Sequence, residues 1–218
     1  GDWSSDVCSS DLLLSLLTMP IGPTRKDASW ALGRIGTTQA SPELRTSLLE
    51  AAEHDLDPTV RARLVRAWAN VAPQEERTPG LARLLADPSP IVRIAALRAI
   101  AKFGCEGTPG MLDGVVVDPE AGVRLEAIAA SATCMGDVEK LKKMLEKAPA
   151  DEQAALVRTL GKRELLPNPQ SWLAASRPLM VRVAAVEVLQ DRKSQLDLAL
   201  NAAEGPIRTA AAGVLLEE

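Results

Sequence analysis

The chain has 218 residues, of which 46% are hydrophobic and 25% are charged, and its formal net charge is −4. This balance excludes an intrinsically disordered chain and argues against a strongly basic nucleic-acid-binding domain. Only 2% of the residues are aromatic, with one Phe and no Tyr, which argues against a β-sandwich or β-barrel. The length suits either one ordinary domain or an array of about six to seven short repeats.

The first twelve residues stand apart from the rest of the chain. Residues 2–12 resemble, in order, the translation of a common short-read sequencing adapter, so we expect segment 1–12 to be non-native. The alternative is a native polar tail rich in Ser and Asp. Without Asp2, Asp6 and Asp11 the formal charge changes from −4 to −1. Residues 13–218 are then expected to form a single repeat array.

From residue 12 onwards the chain is predicted to alternate a shorter helix, A, with a longer helix, B. Residues 12–19 are apolar but too short to cross a bilayer, and we interpret them as the first helix of a partial repeat. Pro is favourable at the first position of a helix, and Gly36, Gly104 and Gly136 are typical helix stops. The predicted A helices are 42–53, 79–86, 109–117, 138–147, 169–175 and 194–202, and the B helices begin near Pro23, Pro58, Pro90, Glu120, Asp151, Pro178 and Pro206.

Each predicted B helix except one carries an arginine near its start. Consecutive arginines lie 36, 32, 31, 58 and 26 residues apart, and the interval of 58 is two periods with a degenerate unit near Gln153. The residues one before and three, four and seven after each arginine fall on one helical stripe and are apolar or small in nearly every unit. A fixed period in this range predicts stacked helix pairs. The arginines are Arg25, Arg61, Arg93, Arg124, Arg182 and Arg208.

These units resemble HEAT repeats, in particular the short bacterial HEAT-like repeats that also occur in phycobilisome lyase subunits. Segments 57–61, 87–93 and 118–124 carry the resemblance, which covers about residues 20–218 and is weakest at 137–176. It implies an all-α, right-handed α-solenoid of about six to seven two-helix repeats, with the B helices on the concave side. It also implies that the arginines form an internal hydrogen-bonded ladder with Asp57, Asp87 and Asp118, and we therefore interpret these residues as structural. Both ends lack a polar capping repeat, so we expect a fragment of a longer protein.

No catalytic constellation stands out. His54 is the only histidine, which excludes His-rich metal sites, and we interpret it as a solvated residue at a helix end. Cys105 and Cys134 lack His partners for a zinc site, and we expect them to be small buried residues without a disulfide framework, as in a reducing compartment. The Gly-rich segment 104–110 lacks the Lys and Ser/Thr of a phosphate loop. We therefore expect no enzymatic activity, no cofactor and no metal.

One pattern on the B helices predicts a binding surface. Positions five and nine after each arginine point away from the core stripe, and many of them are basic. The functional interpretation is a groove for an acidic, extended partner; the alternative is a solvated helix face, in which Arg and Lys are simply good helix formers. The candidate residues of this discontinuous ridge are Trp30, Arg34, Arg66, Asn70, Arg98, Lys102, Arg158 and Lys162.

The sequence thus predicts a non-enzymatic protein-interaction scaffold whose concave face holds a protein or acidic peptide. One alternative is nucleic-acid binding, as in the similar HEAT-like DNA glycosylases, but Trp30, Trp68 and Trp172 occupy unrelated registers. The other is a lyase-subunit-like role on a tetrapyrrole-carrying protein, which rests on the resemblance alone. We expect a cytoplasmic protein without a membrane partner, and the oligomeric state is left open.

Overall fold

A computed structural model of the protein describes residues 12–32, 34, 40–103, 109–134 and 137–216. All regular structure in these residues is helical, and the all-α solenoid class predicted from the sequence is confirmed. Residues 12–17 form a first helical segment, and Pro169–Leu173 forms a 3-10 helix. The α-helices are α1 Gly22–Leu32, α2 Pro42–His54, α3 Pro58–Val71, α4 Gln74–Leu84, α5 Pro90–Phe103, α6 Pro109–Val115, α7 Ala121–Thr133, α8 Val138–Leu145, α9 Ala150–Lys162, α10 Leu179–Glu187, α11 Arg192–Asn201 and α12 Gly205–Leu216.

The helices alternate as A and B elements along the chain. Helices of the B type pack on one another in sequence, α1 on α3 on α5 and α9 on α10 on α12. Each of α2, α8 and α11 packs on the B helix that follows it. The chain divides into two compact units, Gly1–Ala130 and Ser131–Glu218.

The predicted apolar stripe of the B helices forms the core. On α5, Val92, Ala96, Leu97 and Ile100 are fully buried. Their side chains project from one face of the helix because they recur at the helical period. Removal of this face from water stabilises the stack by roughly 1.5–3 kcal/mol for each large side chain.

Trp68 is also part of the core, with 1% of its surface exposed. Its ring lies against the backbone of α4 at Gly80. A Cβ atom at Gly80 would stand 2.2 Å from Cη2 of the Trp68 ring, a distance far inside van der Waals contact. Only glycine at this position lets α4 approach α3 so closely.

Two A elements differ from their predicted bounds. Helix α4 begins at Gln74, and Pro79, which the sequence predicts as its start, lies inside the helix. Glu75 and Glu76 occupy the first turn instead, where carboxylates suit the positive end of the helix dipole. The predicted helix 169–175 is a five-residue 3-10 helix. The predicted stops at 36, 104 and 136 lie outside the described residues.

A ladder of arginine–aspartate pairs links successive turns between A and B helices in the first unit. Nε and Nη2 of each arginine donate to the two carboxylate oxygens of an aspartate one repeat later. Nη1 donates to the main-chain carbonyl six residues before the arginine. Such bidentate pairs fix both distance and orientation. The pairs are Arg25–Asp55, Arg61–Asp87 and Arg93–Asp118, with Nε–Oδ2 distances of 2.9 Å and side-chain exposures of 6–13%.

Asp57 does not belong to this ladder, so that part of the sequence-based assignment is wrong. Its carboxylate accepts from the Thr59 amide at 2.8 Å and pairs with Lys26 Nζ at 3.0 Å, which makes it the N-cap of α3. The hydrogen bonds from Lys26 and Thr59 lower the pKa of Asp57 to about 2. Asp55 takes the ladder position because it stands six residues before the arginine of its own helix, as the other two ladder aspartates do.

Two of the three remaining arginines of the predicted ladder also donate a hydrogen bond to the main chain. Nη1 of Arg124 and of Arg208 donates to the carbonyl oxygens of the residues six and five positions earlier. Arg182 pairs instead with Glu204, at 2.5 Å between Nη2 and Oε1. The buried Nε of Arg182 has no hydrogen-bond partner in the described part of the chain.

The single histidine and Cys134 both lie at helix ends. His54 ends α2 with 78% of its side chain exposed, as expected for a solvated residue. Cys134 is fully buried but disulfide-bonded, so the expectation of cysteines without a disulfide is wrong, because spacing alone does not show which thiols meet in space. Cys105 lies outside the described residues. Of the helices that the structure describes, none combines the length and the apolar character needed to cross a bilayer.

Candidate interaction surface

An open groove of about 620 Å³ runs along α3 and α5 in the first unit, and we call it the α3/α5 groove. Four of the residues that line it are cationic, and the others are apolar or small apart from one threonine. The cationic residues are Arg63, Arg66, Arg98 and Lys102, and the others are Ile91, Ile94, Phe103, Ala62, Ala95, Ala99 and Thr59.

The repeat places equivalent positions of the two helices side by side. Arg61 and Arg93 are 32 residues apart, and so are Arg66 and Arg98. On each helix the buried stripe occupies one side, so the residues two before and one, two and five after the ladder arginine share the opposite side. The ladder bonds between the helix pairs hold these outward faces in register.

The groove carries an excess of positive charge, because no acidic residue lies among its described lining residues. Arg66 is exposed and makes no hydrogen bond or ion pair with any described residue. Nη1 of Arg63 donates to the main-chain carbonyl of Lys26 at 3.0 Å, which leaves its charge without a carboxylate. Arg98 reaches Glu126 of the neighbouring α7 at 3.0 Å, with 68% of the Arg98 side chain exposed.

At one end of the groove two cations stack on one aromatic ring. Lys102 Nζ lies 4.5 Å and the Arg77 guanidinium 4.8 Å from the centroid of the Phe103 ring. Lys102 Nζ also donates to Oδ1 of Asn70 at 3.2 Å. Burial lowers the pKa of Arg77. The ring therefore holds the Lys102 charge at the groove without neutralising it.

The floor of the groove is apolar and partly open to water. Ile91 retains 42% exposure, and Ile94 is half-buried. Ile94 also lies beside the next B helix, where a Cβ atom added at Gly122 would be 3.6 Å from Cδ1 of Ile94. Burial of exposed apolar surface contributes roughly 25 cal/mol per Å² to binding, so this floor favours a ligand with apolar groups.

The A-helix side of the same unit is different. A groove of about 490 Å³ there is lined by both charges, and its arginines have carboxylate partners. Arg45 pairs with Glu76 through two bonds of 3.1 Å, and Arg83 pairs with Glu53 at 2.7 Å. The cations of this face are thus neutralised within the protein. The B-helix face is where positive charge is left for a partner.

The structure brings three of the eight candidate ridge residues together in the groove, namely Arg66, Arg98 and Lys102. Asn70 is not among the residues that line the groove, but its side-chain oxygen accepts a hydrogen bond from Lys102. Trp30 and Arg34 are not among the residues that line it. Trp30 is 61% exposed, and the Arg34 guanidinium lies 5.1 Å from its ring centroid.

The other two candidates, Arg158 and Lys162, belong to α9 in the second unit. Nε of Arg158 lies 2.5 Å from Oε2 of Glu187, so its charge is neutralised there. Lys162 is exposed and has no partner among the described residues. A separate cavity of about 250 Å³ in this unit is lined by Glu164, Asp191 and mostly apolar neighbours.

The charge pattern of the sequence did not predict that Arg63, Ile91, Ile94 and Phe103 belong to the site. The signal was present for Ile91 and Ile94, because both lie on the outward face of a helix whose inward face is already apolar. A solvated face does not need two isoleucines one turn apart. A pattern of charged positions alone does not include them.

Comparisons with known proteins identify the repeats. The family described as HEAT repeats matches residues 45–132, and the family described as PBS lyase HEAT-like repeat matches residues 24–50. No sequence among curated proteins matches the chain significantly.

Two solved structures are similar in fold. The X-ray structure of YibA from E. coli aligns with a TM-score of 0.68 and 17% identity over 97% of this chain and 82% of that chain. The complex of CpcE and CpcF of phycocyanin lyase from Nostoc sp. PCC7120 aligns with a TM-score of 0.55 and 21% identity over 95% of this chain and 87% of that chain. The two solved structures show a similar fold. The family matches, which together span residues 24–132, show that the chain is a HEAT-repeat protein.

Proposed function

We propose that this HEAT-repeat protein is a non-enzymatic scaffold that binds a protein partner on the B-helix face of its first unit. The observation that carries the proposal is the α3/α5 groove, with four cations and no carboxylate among its described lining residues and an apolar floor open to water. Charge of one sign steers an oppositely charged partner, and the apolar floor supplies contact area. The cytoplasmic location stays a prediction from the sequence, and the disulfide at Cys134 is more typical of an oxidising compartment.

The chemistry of the groove supports binding rather than catalysis. Its described lining residues offer neither a carboxylate nor an imidazole that could act as a general base, and the single hydroxyl is that of Thr59. Nucleophilic catalysis requires a nucleophile within hydrogen-bonding reach of such a base. Guanidinium, ammonium and alkyl groups can hold a ligand but do not activate it without that partner.

Nucleic-acid binding is the second candidate, and one observation favours it. Trp30 is exposed on α1 in the same unit, with Arg34 stacked on its ring, and an open aromatic face can stack on a base. Against it stands the apolar floor at Ile91 and Ile94, which a phosphate backbone would not use. The third candidate is a lyase-subunit-like role on a tetrapyrrole-carrying protein, and it is supported only by the similarity to the complex of CpcE and CpcF of phycocyanin lyase.

Affinity capture with the full chain tests the proposal. We would compare the wild type with Arg66→Glu and with the control Lys143→Glu, at low and high salt, with and without nuclease. Both side chains are exposed and make no hydrogen bond or ion pair with described residues, so each variant reverses one charge and should leave the fold intact. A protein that is retained by the wild type and the control but lost from Arg66→Glu supports the proposal. Retention by all three, or material removed by nuclease, contradicts it.

A further inference from the structure

Resting on the proposed function, we infer that the α3/α5 groove recognises a bipartite peptide segment in which a cluster of apolar side chains adjoins a cluster of carboxylates. The groove itself is divided in this way along its length. Ile91, Ile94 and Ala62 lie in the N-terminal halves of α3 and α5, whereas Arg66, Arg98 and Lys102 lie in their C-terminal halves. The fourth cation, Arg63, also stands in the N-terminal half of α3, but its Nη1 donates to the Lys26 carbonyl of α1. A peptide that runs along the helices therefore contacts apolar side chains at one end of the groove and cationic side chains at the other.

The dimensions set the spacing within the occupant. Ile91 and Arg98 are seven residues apart on one helix, which corresponds to roughly 10 Å at 1.5 Å per residue. Ile91 and Lys102 are eleven residues apart, or roughly 16 Å. A helical ligand would therefore place its carboxylates about two to three turns from its apolar side chains, and an extended ligand about three to five residues away.

The cationic end holds charge that folding does not use. Arg66 lies near the middle of α3, where the helix dipole gives no reason for a cation, and it has no partner among the described residues. Lys102 lies in the last turn of α5, where a cation suits the dipole, yet its ammonium group is turned to the Phe103 ring at the groove.

Within the described part of the chain, Arg98 is the one groove cation that pairs with a carboxylate. Its Nη2 lies 3.0 Å from Oε2 of Glu126, in an exposed pair. Exposed pairs of this kind contribute little to stability, so a ligand carboxylate can replace Glu126 at small cost. Glu126 is thus an internal competitor for the occupant, and its removal should strengthen binding. If the acidic ligand were attracted only by the overall charge of the protein, removal of Glu126 would have no larger effect than removal of any other exposed carboxylate.

The apolar end distinguishes a peptide from a polyanion. A nucleic-acid backbone carries charge along its whole length and would leave Ile91 and Ile94 opposite phosphates. A peptide with apolar side chains at this end removes the exposed part of Ile91 from water. The apolar contact also lowers the local dielectric constant around the adjacent ion pairs, which strengthens them.

The test is a selection from a display library of random peptides of about twelve residues, a length that covers the groove as a helix, with the full chain as bait. We expect the enriched peptides to carry acidic residues clustered next to apolar ones. Enrichment of peptides without that segregation, or no enrichment above an empty matrix, would overturn the inference.

Binding of one enriched, fluorescein-labelled peptide then locates the site. We expect Arg66→Glu to weaken its affinity by at least about tenfold and Ile91→Ser by roughly threefold to tenfold. Glu126→Gln should strengthen it by a few fold, and Lys143→Glu should leave it unchanged. Loss of affinity with Arg66→Glu but not with Ile91→Ser, or no gain with Glu126→Gln, would overturn the bipartite assignment.

The outcomes separate this inference from the proposed function. Enriched peptides of another composition whose binding is lost in Arg66→Glu would keep the scaffold function and reject the acidic–apolar class. Enriched peptides that bind wild type and Arg66→Glu equally would reject the B-helix face itself. A labelled single-stranded oligonucleotide that competes with the peptide at equal affinity would favour the nucleic-acid candidate instead.

Discussion

Replacement of Asp55 by Asn should destabilise the first unit much more than the same replacement of Asp57, only two residues away. Both aspartates precede α3, and the sequence motif alone favours Asp57. Asp55 accepts two bonds from Arg25, at 2.9 and 3.3 Å, and one from the Asp57 amide at 2.8 Å. An Asn side chain would turn an N–H towards the guanidinium, so one donor would face another.

The expected magnitude follows from burial. The side chains of Arg25 and Asp55 are 13% and 6% exposed, and removal of one partner from a buried ion pair costs about 3–5 kcal/mol. Arg25 keeps its bond to the Met19 carbonyl and some contact with water, so we expect about 3 kcal/mol, at the low end of that range. Asp57→Asn should matter far less, because Asn caps a helix as well as Asp and the pair with Lys26 is partly exposed.

The assay is urea unfolding of the full chain, followed by circular dichroism, with the shift in midpoint multiplied by the m-value. Each variant is also measured in an Arg25→Gln background, where the effect of Asp55→Asn should shrink and that of Asp57→Asn should not. If Asp57→Asn costs as much as Asp55→Asn, the ladder register described above is incorrect.

Two further predictions concern the packing of helices and the response to acid. Gly80→Ala would place a methyl group 2.2 Å from the Trp68 ring and should destabilise the fold by roughly 1–3 kcal/mol. The control Gly114→Ala, where no atom lies within 4 Å of the added methyl group, should be neutral or stabilise the fold by up to about 1 kcal/mol. Equal shifts of the urea midpoint in the two variants would contradict the close approach of α3 and α4. Burial acts to raise the pKa of Asp118, but hydrogen bonds from Arg93 and the Glu120 amide, with the charges of Arg93 and Arg124, hold it below its ordinary value. The contribution of Asp118 to stability should therefore be complete above about pH 4 and be lost as the pH falls through the lower folded-state pKa. If the urea midpoint of Asp118→Asn declines below pH 4 as steeply as that of the wild type, this pH dependence does not come from Asp118.

The B helices could be predicted well because two independent signals agree on them. The arginine spacing gives the register, and the apolar stripe at Val92, Ala96 and Ile100 gives the buried face. The A helices have only prolines as markers, and a proline is ambiguous. Pro42 stands at the start of its helix, whereas Pro79 lies inside α4.

In the degenerate repeat, the arginine spacing predicts the position of the B helix but not the hydrogen bond that replaces the arginine's bonds. Gln153 stands on α9, one period after Arg124 and one before Arg182. Its side-chain amide donates to the Leu145 carbonyl at 2.8 Å, which preserves a bond to the preceding A helix. The sequence located this repeat correctly, but a hydrogen bond that replaces an ion pair leaves no recurring motif.

The candidate surface was only partly predictable, because its charge depends on pairing between repeats. Arg98 and Arg158 occupy the same position on their helices, yet their partners Glu126 and Glu187 occupy different ones. Which carboxylate a long side chain reaches depends on the separation and rotation of neighbouring helices. That geometry has no simple periodic signature, so the sequence gives the sign of the outward face but not which cations remain unpaired.

The constant distance of six residues between ladder aspartate and ladder arginine restricts where these repeats can change in length. An insertion between them would move the carbonyl that Nη1 of Arg61 and Arg93 needs. The intervals between the first four arginines nevertheless vary, at 36, 32 and 31 residues, so all of that variation falls elsewhere in the repeat. In protein engineering, the turn from A to B is therefore the wrong place to graft a loop or tag, and the connection from B to the next A is the permissive one.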